Sequence, residues 1–350
     1  MIRVLVVDDS PSVQELLVQV LGADPAIQVL GCAADGEQAL EMAARLRPDA
    51  ITMDLHMPHM DGYQAIRRIM QTCPAPIVVV SGCADRAEVE ASFRAIEAGA
   101  LVQVHRPYGP GHPEHEASAR ALVRTVKSMA EVRVVRRWAP ESQRTPRAGG
   151  AGRGRRLVLV GASTGGPAVV RDILAQLGQE FPLPVLIVQH ISAGFTQGLA
   201  DWLAQASGFP VAVAAHGQLL APGTAWLAPE RSQLAVTREL RARLSLGAPE
   251  HGMRPAVSHL FRSVPAELRA ASVAVLLTGM GKDGAQELKQ LREDGAVTIV
   301  QDRASAAVYG MPGEALRLGA AQLVLDPVRI GKALHAIANN PGRSLALLGY

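Results

Sequence analysis

Short apolar runs alternate with longer segments of helical period along the chain, and the alternation breaks down only between about 126 and 154. In the first part the runs are Val4–Val7, Ile27–Ala33, Ala50–Met53, Ile77–Val80 and Leu101–Val104. Each is a short, largely apolar run, so each predicts a strand. Helices are expected between them, over Val13–Leu21, Gly36–Arg45, Gly62–Met70, Arg86–Ala98 and Glu114–Ala130. The second part repeats the pattern. Strands are expected at Leu157–Val160, Val185–Val188, Val211–Ala214, Ala225–Ala228, Val273–Leu277, Thr298–Val300 and Ala321–Leu325, with a hairpin-like excursion around Gly217–Val236. Helices are expected over Ala168–Leu177, Thr196–Ala206, Ala285–Glu293 and Pro312–Leu318. Continuous apolar strands separated by helices imply parallel sheets covered on both faces. The fold class is therefore α/β, two doubly wound, mainly parallel-sheet domains. Between Glu131 and Arg156 stand eight arginines and two acidic residues, with Pro140, Pro146 and Gly149-Gly150-Ala151-Gly152. Such a segment cannot bury enough apolar surface to offset its ordering and predicts a solvated linker. The expected domains are 1–125 and 155–345, joined by a basic linker at 126–154.

In sheets of this kind, functional groups collect at the carboxyl ends of the strands. Asp8 and Asp9 end the first strand and Asp54 ends the third. Any one of them could be a helix or turn cap. Three carboxylates at neighbouring strand ends repel one another unless a cation sits among them, and hard oxygen donors suit Mg²⁺.

In the second part, Gly161-Ala162-Ser163-Thr164-Gly165-Gly166-Pro167 joins a strand to a helix. A serine on such a turn can be a nucleophile, with helix N-terminal donors for an oxyanion. It can equally be a helix cap before proline. A phosphate loop would need Lys and Ser/Thr where Pro167 and Ala168 stand. A nucleophile needs a base and a group that orients the base. His190 ends Val185–Gln189, and Asp283 follows Leu276-Leu277-Thr278-Gly279-Met280-Gly281-Lys282, so all three should reach one sheet edge. The chain order Ser, His, Asp differs from that of α/β-hydrolases. A rival reading is that Gly279–Gly284 matches G-x-G-x-x-G, with Asp302 ending the next strand, as in dinucleotide-binding folds. Against it, Asp283 would set a carboxylate near the pyrophosphate, and little chain follows for the remaining nucleotide-binding strands.

With 48% hydrophobic and 19% charged residues, the chain can build substantial cores. A net charge of +3 is too mild to imply a nucleic-acid partner. No apolar stretch approaches the roughly 20 residues of a membrane span. Neither a signal peptide nor membrane insertion is expected, and the protein is expected in the cytoplasm as a monomer. The three cysteines, Cys32, Cys73 and Cys83, lack disulfide or zinc spacing.

Residues 1 to about 125 resemble a response-regulator receiver domain. The resemblance rests on Val6-Val7-Asp8-Asp9-Ser10, Asp54 to Gly62, Val78-Val79-Val80-Ser81 and Arg106-Pro107. It implies a flavodoxin-like fold, phosphorylation of Asp54 by a histidine kinase, Mg²⁺ held by Asp8, Asp9 and Asp54, and contact of Ser81 and Arg106 with the phosphoryl group. Arg106 replaces the usual Lys, and Gln103 stands where a switch aromatic is usual. Residues 155 to about 340 resemble the catalytic domain of the chemotaxis protein-glutamate methylesterases. That resemblance rests on Val160 to Gly166, Gln189-His190, Gly223 to Pro229, Arg254-Pro255, Thr278 to Gly284 and Tyr309 to Pro312. It implies a Rossmann-like esterase domain that needs no cofactor. Ser163 would be its nucleophile, His190 the general base and Asp283 the orienting acid, with Thr164 and Met280 at the oxyanion site. The implied activity is phosphorylation-activated demethylation of glutamate γ-esters, and deamidation of glutamines, on the cytoplasmic domain of methyl-accepting chemoreceptors. Ala256-Val257-Ser258 departs from the family's Ser-Val-Asp in a segment expected to line the substrate side. The alternative is a response regulator whose second half is non-catalytic or binds a dinucleotide.

Overall fold

A computed structural model describes residues 1–82, 93–132 and 156–340. The chain divides into two compact units, Met1–Glu141 and Ser142–Tyr350.

The first unit is built on five strands: β1 (Ile2–Val7), β2 (Ile27–Ala33), β3 (Ala50–Met53), β4 (Ile77–Ser81) and β5 (Val102–His105). They pair in the order β2-β1-β3-β4-β5, all parallel, as in flavodoxin-like sheets. The buried face of β1, β3 and β4 packs on helices Gly36–Leu46 and Gly62–Thr72 through Leu5, Met53, Ile66, Ile69 and Val79. Acidic N-caps start both helices. Asp35 accepts from the N–H groups of Glu37 and Gln38, and Asp61 accepts from that of Gln64. The helix expected at 86–98 is present over 93–98, and its first part lies outside the described residues. Helix His115–Ala130 runs unbroken past residue 125, with Val126 and Met129 buried. Packed structure therefore continues beyond the expected boundary, and most of the expected linker lies outside the described residues.

The second unit holds seven parallel strands in the order β14-β13-β12-β6-β7-β9-β8. They are β6 (Leu157–Ala162), β7 (Val185–Gln189), β8 (Val211–Val213), β9 (Ala225–Leu227), β12 (Ser272–Leu276), β13 (Val297–Gln301) and β14 (Leu323–Leu325). The central strands β6, β7 and β12 are buried along their whole length, which is why they read as unbroken apolar runs. An antiparallel pair, β10 (Gln233–Val236) with β11 (Ala242–Ser245), lies apart from this sheet. The hairpin thus sits later than the expected 217–236, although Leu219 does bridge to Arg241. Its second strand, Ala-Arg-Leu-Ser, gives too weak an apolar signal to be seen in the sequence. Helices Val257–Arg262, Ala266–Arg269 and Pro327–Asn339 were not expected. The first two are too short to show a period.

Candidate active site

Strand register brings Ser163 and His190 together. Ala162 of β6 pairs with Gln189 of β7, so the next residue of each strand emerges at the same level. The His190 N–H donates to the Ala162 carbonyl at 2.9 Å. On the other flank β12 pairs with β6, and the Ser163 N–H donates to the Thr278 carbonyl at 3.0 Å. Gln189 ties the turn to β7: its Nε2 donates to the carbonyls of Ser163 at 2.7 Å and His190 at 2.9 Å. Ser163 is not the helix cap. Gly165, with φ of 76°, takes that position ahead of helix Gly166–Leu177, and no side chain caps the helix. A Cβ on Gly279 would lie 2.7 Å from the Ser163 Cβ and 2.4 Å from the Met311 sulfur, so only glycine lets these loops meet.

Asp283 reaches the same place from the loop after β12. Its Oδ2 lies 2.9 Å from His190 Nε2 and accepts from the Val257 N–H at 2.7 Å. Oδ1 accepts from the Ser258 N–H at 2.9 Å. Burial pushes the Asp283 carboxyl up. The hydrogen bond and charge of His190, with the bonds from Ser258, outweigh that and hold it below the usual carboxylate range. An ionised carboxylate only accepts hydrogen bonds, so His190 Nε2 carries the proton. In the neutral ring the other nitrogen, Nδ1, is then a lone-pair acceptor, and it is buried without a hydrogen-bond partner among the described residues. This is the arrangement of a base waiting for a proton.

Thr164 follows the serine, and its carbonyl accepts from Thr278 Oγ1 at 2.9 Å. The Met280 side chain is half exposed at the start of the loop that carries Asp283. A shallow cleft of about 80 Å³ adjoins the site, lined by Gln189, Ile191, Thr196, Glu230, Arg254 and Pro255 among others. Ser258, expected on the substrate side, is instead fully buried. Its Oγ donates to Glu287 Oε2 at 2.7 Å and accepts from the Gly284 N–H at 2.9 Å. The glycine-rich loop is likewise committed inward. Gly279 packs on Ser163, and the Asp283 carboxylate faces the start of helix Val257–Arg262, an arrangement that does not favour a dinucleotide site. Sequence reading missed Gln189 as a brace and the roles of Val257, Ser258 and Glu287. These contacts join residues about 25 to 30 positions apart, and no local pattern marks them.

In the first unit, Asp8, Asp9 and Asp54 bring one carboxylate oxygen each within 4.8 Å of one another. Asp8 is fully buried, and its Oδ2 has no hydrogen-bond partner among the described residues, although Arg106 Nη2 lies 3.5 Å away. Burial pushes the Asp8 carboxyl up to about 6; the Ser10 N–H opposes this, and the charges of Asp54 and Asp9 add to it. Burial also raises the Asp54 carboxyl against the Leu55 N–H, which donates to it at 2.7 Å. A divalent cation would relieve both the repulsion and the orphaned oxygen, so these residues fit Mg²⁺. Ser81 ends β4, and its carbonyl accepts from the Arg106 N–H at 2.7 Å, which sets both residues beside the cluster. Gln103 on β5 leaves its buried Nε2 without a hydrogen-bond partner among the described residues.

Residues 158–334 match the family model of the CheB methylesterases, and residues 4–113 match that of the response regulator receiver domain. The chain is 54% identical over 344 residues to the protein-glutamate methylesterase/protein-glutamine glutaminase 4 of Geobacter metallireducens, covering 97% of this chain and 99% of that one. It is 48% identical to a relative of the same name, without the number, in Nitrosospira multiformis, covering 98% and 99%. The crystal structure of the Thermotoga maritima CheB methylesterase catalytic domain superposes with a TM-score of 0.51 at 31% identity, covering 52% of this chain and 98% of that one. The chain belongs to the CheB methylesterase family, with a receiver domain in front of the esterase domain.

Proposed function

We propose that this chain is a protein-glutamate methylesterase and protein-glutamine glutaminase whose activity is switched on by phosphorylation of Asp54. The carrying observation is the His190 ring, committed to Asp283 through Nε2 and open at Nδ1 beside the Ser163 turn. Nδ1 takes the Ser163 hydroxyl proton as Oγ attacks the γ-carbonyl of a methylated glutamate. Asp283 stabilises the imidazolium without taking its proton. The tetrahedral oxyanion is held by backbone donors at the turn and the Met280 loop, with Thr164 the nearest residue on the helix side. One such donor contributes about 3 kcal/mol. The imidazolium returns its proton to the departing methoxide, releasing methanol. Water then attacks the acyl-enzyme with His190 as base, and Ser163 is regenerated as the glutamate carboxylate leaves. Glutamine follows the same course with ammonia as the leaving group.

In the receiver, Asp54 accepts a phosphoryl group from a histidine kinase. Asp8, Asp9 and Asp54 would hold Mg²⁺, which neutralises the charge on the incoming phosphoryl group. Ser81 and Arg106 contact that group once it is attached. The substrate is the cytoplasmic domain of a methyl-accepting chemoreceptor, so the enzyme works in the cytoplasm. No helix among the described residues is long and apolar enough to cross a membrane.

The test is methanol release from a methylated chemoreceptor cytoplasmic fragment, with acetyl phosphate and Mg²⁺ as phosphodonor. Ser163→Ala is expected to abolish release while Asp54 still takes up phosphate. Hydrolysis that survives Ser163→Ala overturns the assignment.

A further inference from the structure

Behind Asp283 lies a second carboxylate. Ser258 sits between the two, at the start of helix Val257–Arg262, fully shielded from solvent. It grips the Asp283 loop at two points. Its N–H donates to Asp283 Oδ1 at 2.9 Å, and its Oγ accepts from the N–H of Gly284 at 2.9 Å. A hydroxyl has one proton to give. The Gly284 N–H can only donate, so that proton goes to a carboxylate: Glu287 Oε2 lies 2.7 Å away on helix Ala285–Glu293, and the Ser258 side chain also helps hold the Asp283 carboxyl below its usual range. Glu287 is itself anchored. Its Oε1 accepts from Arg262 Nη1 at 3.1 Å, and Arg262 Nη2 reaches both oxygens of Glu250 at 2.6 Å. His259 Nδ1 lies 3.0 Å from Glu250 Oε1. Arg262 is the cation of this cluster, held protonated by Glu250 first and by the charges of Glu287 and Asp283 as well.

We propose that Ser258 and Glu287 are positioning residues of the esterase, a clamp that fixes the Asp283 carboxylate against His190 Nε2. The proposal rests on the reading of Ser163, His190 and Asp283 as the catalytic triad. Glu287 orients the Ser258 hydroxyl, and Ser258 fixes where Asp283 and Gly284 stand. Removing either side chain leaves the Val257 and Ser258 N–H donors to Asp283 in place but unties Gly284 and helix Ala285–Glu293 from the helix that carries those donors. The Asp283 loop then shifts against His190, and the imidazolium is held less well. The groups acting on Asp283 are His190 just after β7, the Val257 N–H, and Ser258 and the Arg262 charge from the same helix, with Glu287 linked to it through Ser258 and Arg262.

The test uses the full-length chain, with methanol release from a peptide bearing a glutamate γ-methyl ester in the presence of acetyl phosphate and Mg²⁺. Ser258→Ala and Glu287→Ala should each lower kcat about tenfold with KM within about twofold. The acid limb of the kcat–pH profile should move to lower pH, because an unsupported imidazolium loses its proton more easily. The double variant should be no slower than either single one, since both break the same clamp. Glu287→Gln, which keeps an acceptor for the Ser258 hydroxyl and the local packing, should recover most of the rate. A folded Ser258→Ala or Glu287→Ala with wild-type kcat and acid limb overturns the proposal. So does a loss of rate that leaves the acid limb unmoved, or one that adds in the double variant. Ser163→Ala is assayed alongside. If it stays active, the triad itself is wrong; if it is dead while the clamp variants match wild type, only the clamp fails.

Discussion

His190 turns its Nε2 to Asp283, 2.9 Å from Oδ2, and leaves Nδ1 buried without a hydrogen-bond partner among the described residues. The imidazole thus has one nitrogen assigned and one in reserve, and the assignment is imposed by the carboxylate. Asp283→Asn reverses it. The amide can donate to Nε2, which forces the proton onto Nδ1 and removes the base. The rate of methanol release should fall about 10³- to 10⁴-fold with little change in KM. The ¹⁵N shifts of the His190 ring, read by NMR, should report the exchanged tautomer.

The Asp283 carboxyl also carries a stability dependence. Its pKa in the folded chain lies below the ordinary value, so its contribution is present above about pH 4, the unfolded value. It is lost as pH falls through the folded value. Acid denaturation of the esterase transition below about pH 4 should therefore be blunted in Asp283→Asn, measured by calorimetry between pH 2.5 and 5.

Asp8 behaves with the opposite sign. Burial raises it from 3.8 to about 6, so between those values the folded chain keeps a proton that the unfolded chain releases. Stability of the receiver transition should then fall as pH rises from about 4 to 6, with the full cost present above 6. Mg²⁺ added at pH 7 should raise that melting temperature by a few degrees. Both effects should shrink in Asp8→Asn. A wild-type melting temperature indifferent to Mg²⁺ would argue against the three-carboxylate cation site.

Asp54→Asn should remove stimulation by acetyl phosphate and leave the unstimulated rate of methanol release in place. The measurement is the ratio of rates with and without the phosphodonor, expected to fall to about one. Undiminished stimulation would separate the receiver from control of the esterase.

Gly279→Ala should be among the most damaging single-methyl changes. The new Cβ would stand 2.4 Å from the Met311 sulfur and 2.7 Å from the Ser163 Cβ. Either the Ser163 turn or the Tyr309–Met311 segment must yield. Methanol release should drop at least about 100-fold, with the melting temperature lowered by several degrees.

The catalytic and phosphoacceptor candidates were legible because parallel α/β sheets display chemistry at strand ends. Asp8 and Asp54 follow an apolar run directly, and Ser163 and His190 lie within three residues of one. Asp283 was reachable by the same rule, six residues beyond Leu277. The surroundings of these groups were not legible. Ser258 looked like a substrate-side departure because its neighbour in space, Glu287, lies 29 positions away on another helix. Gln189 looked like the last strand residue, yet its side chain ties the nucleophile turn to β7. The short helix Val257–Arg262 spans fewer than two turns, too few for a period to show. Periodicity reports which face of an element is buried; it says nothing of which polar group meets which across elements.

The three strands that deliver Ser163, His190 and Asp283 are neighbours in the sheet but distant along the chain, with β12 more than a hundred residues after β6. The His190–Asp283 pair alone spans 93 positions. With the triad proposed above, esterase activity acts as a coincidence detector for folding: it arises only when β7, β6 and β12 are all seated in register. During refolding, hydrolysis should recover after helix content does, and no fragment ending before β12 can be an active enzyme.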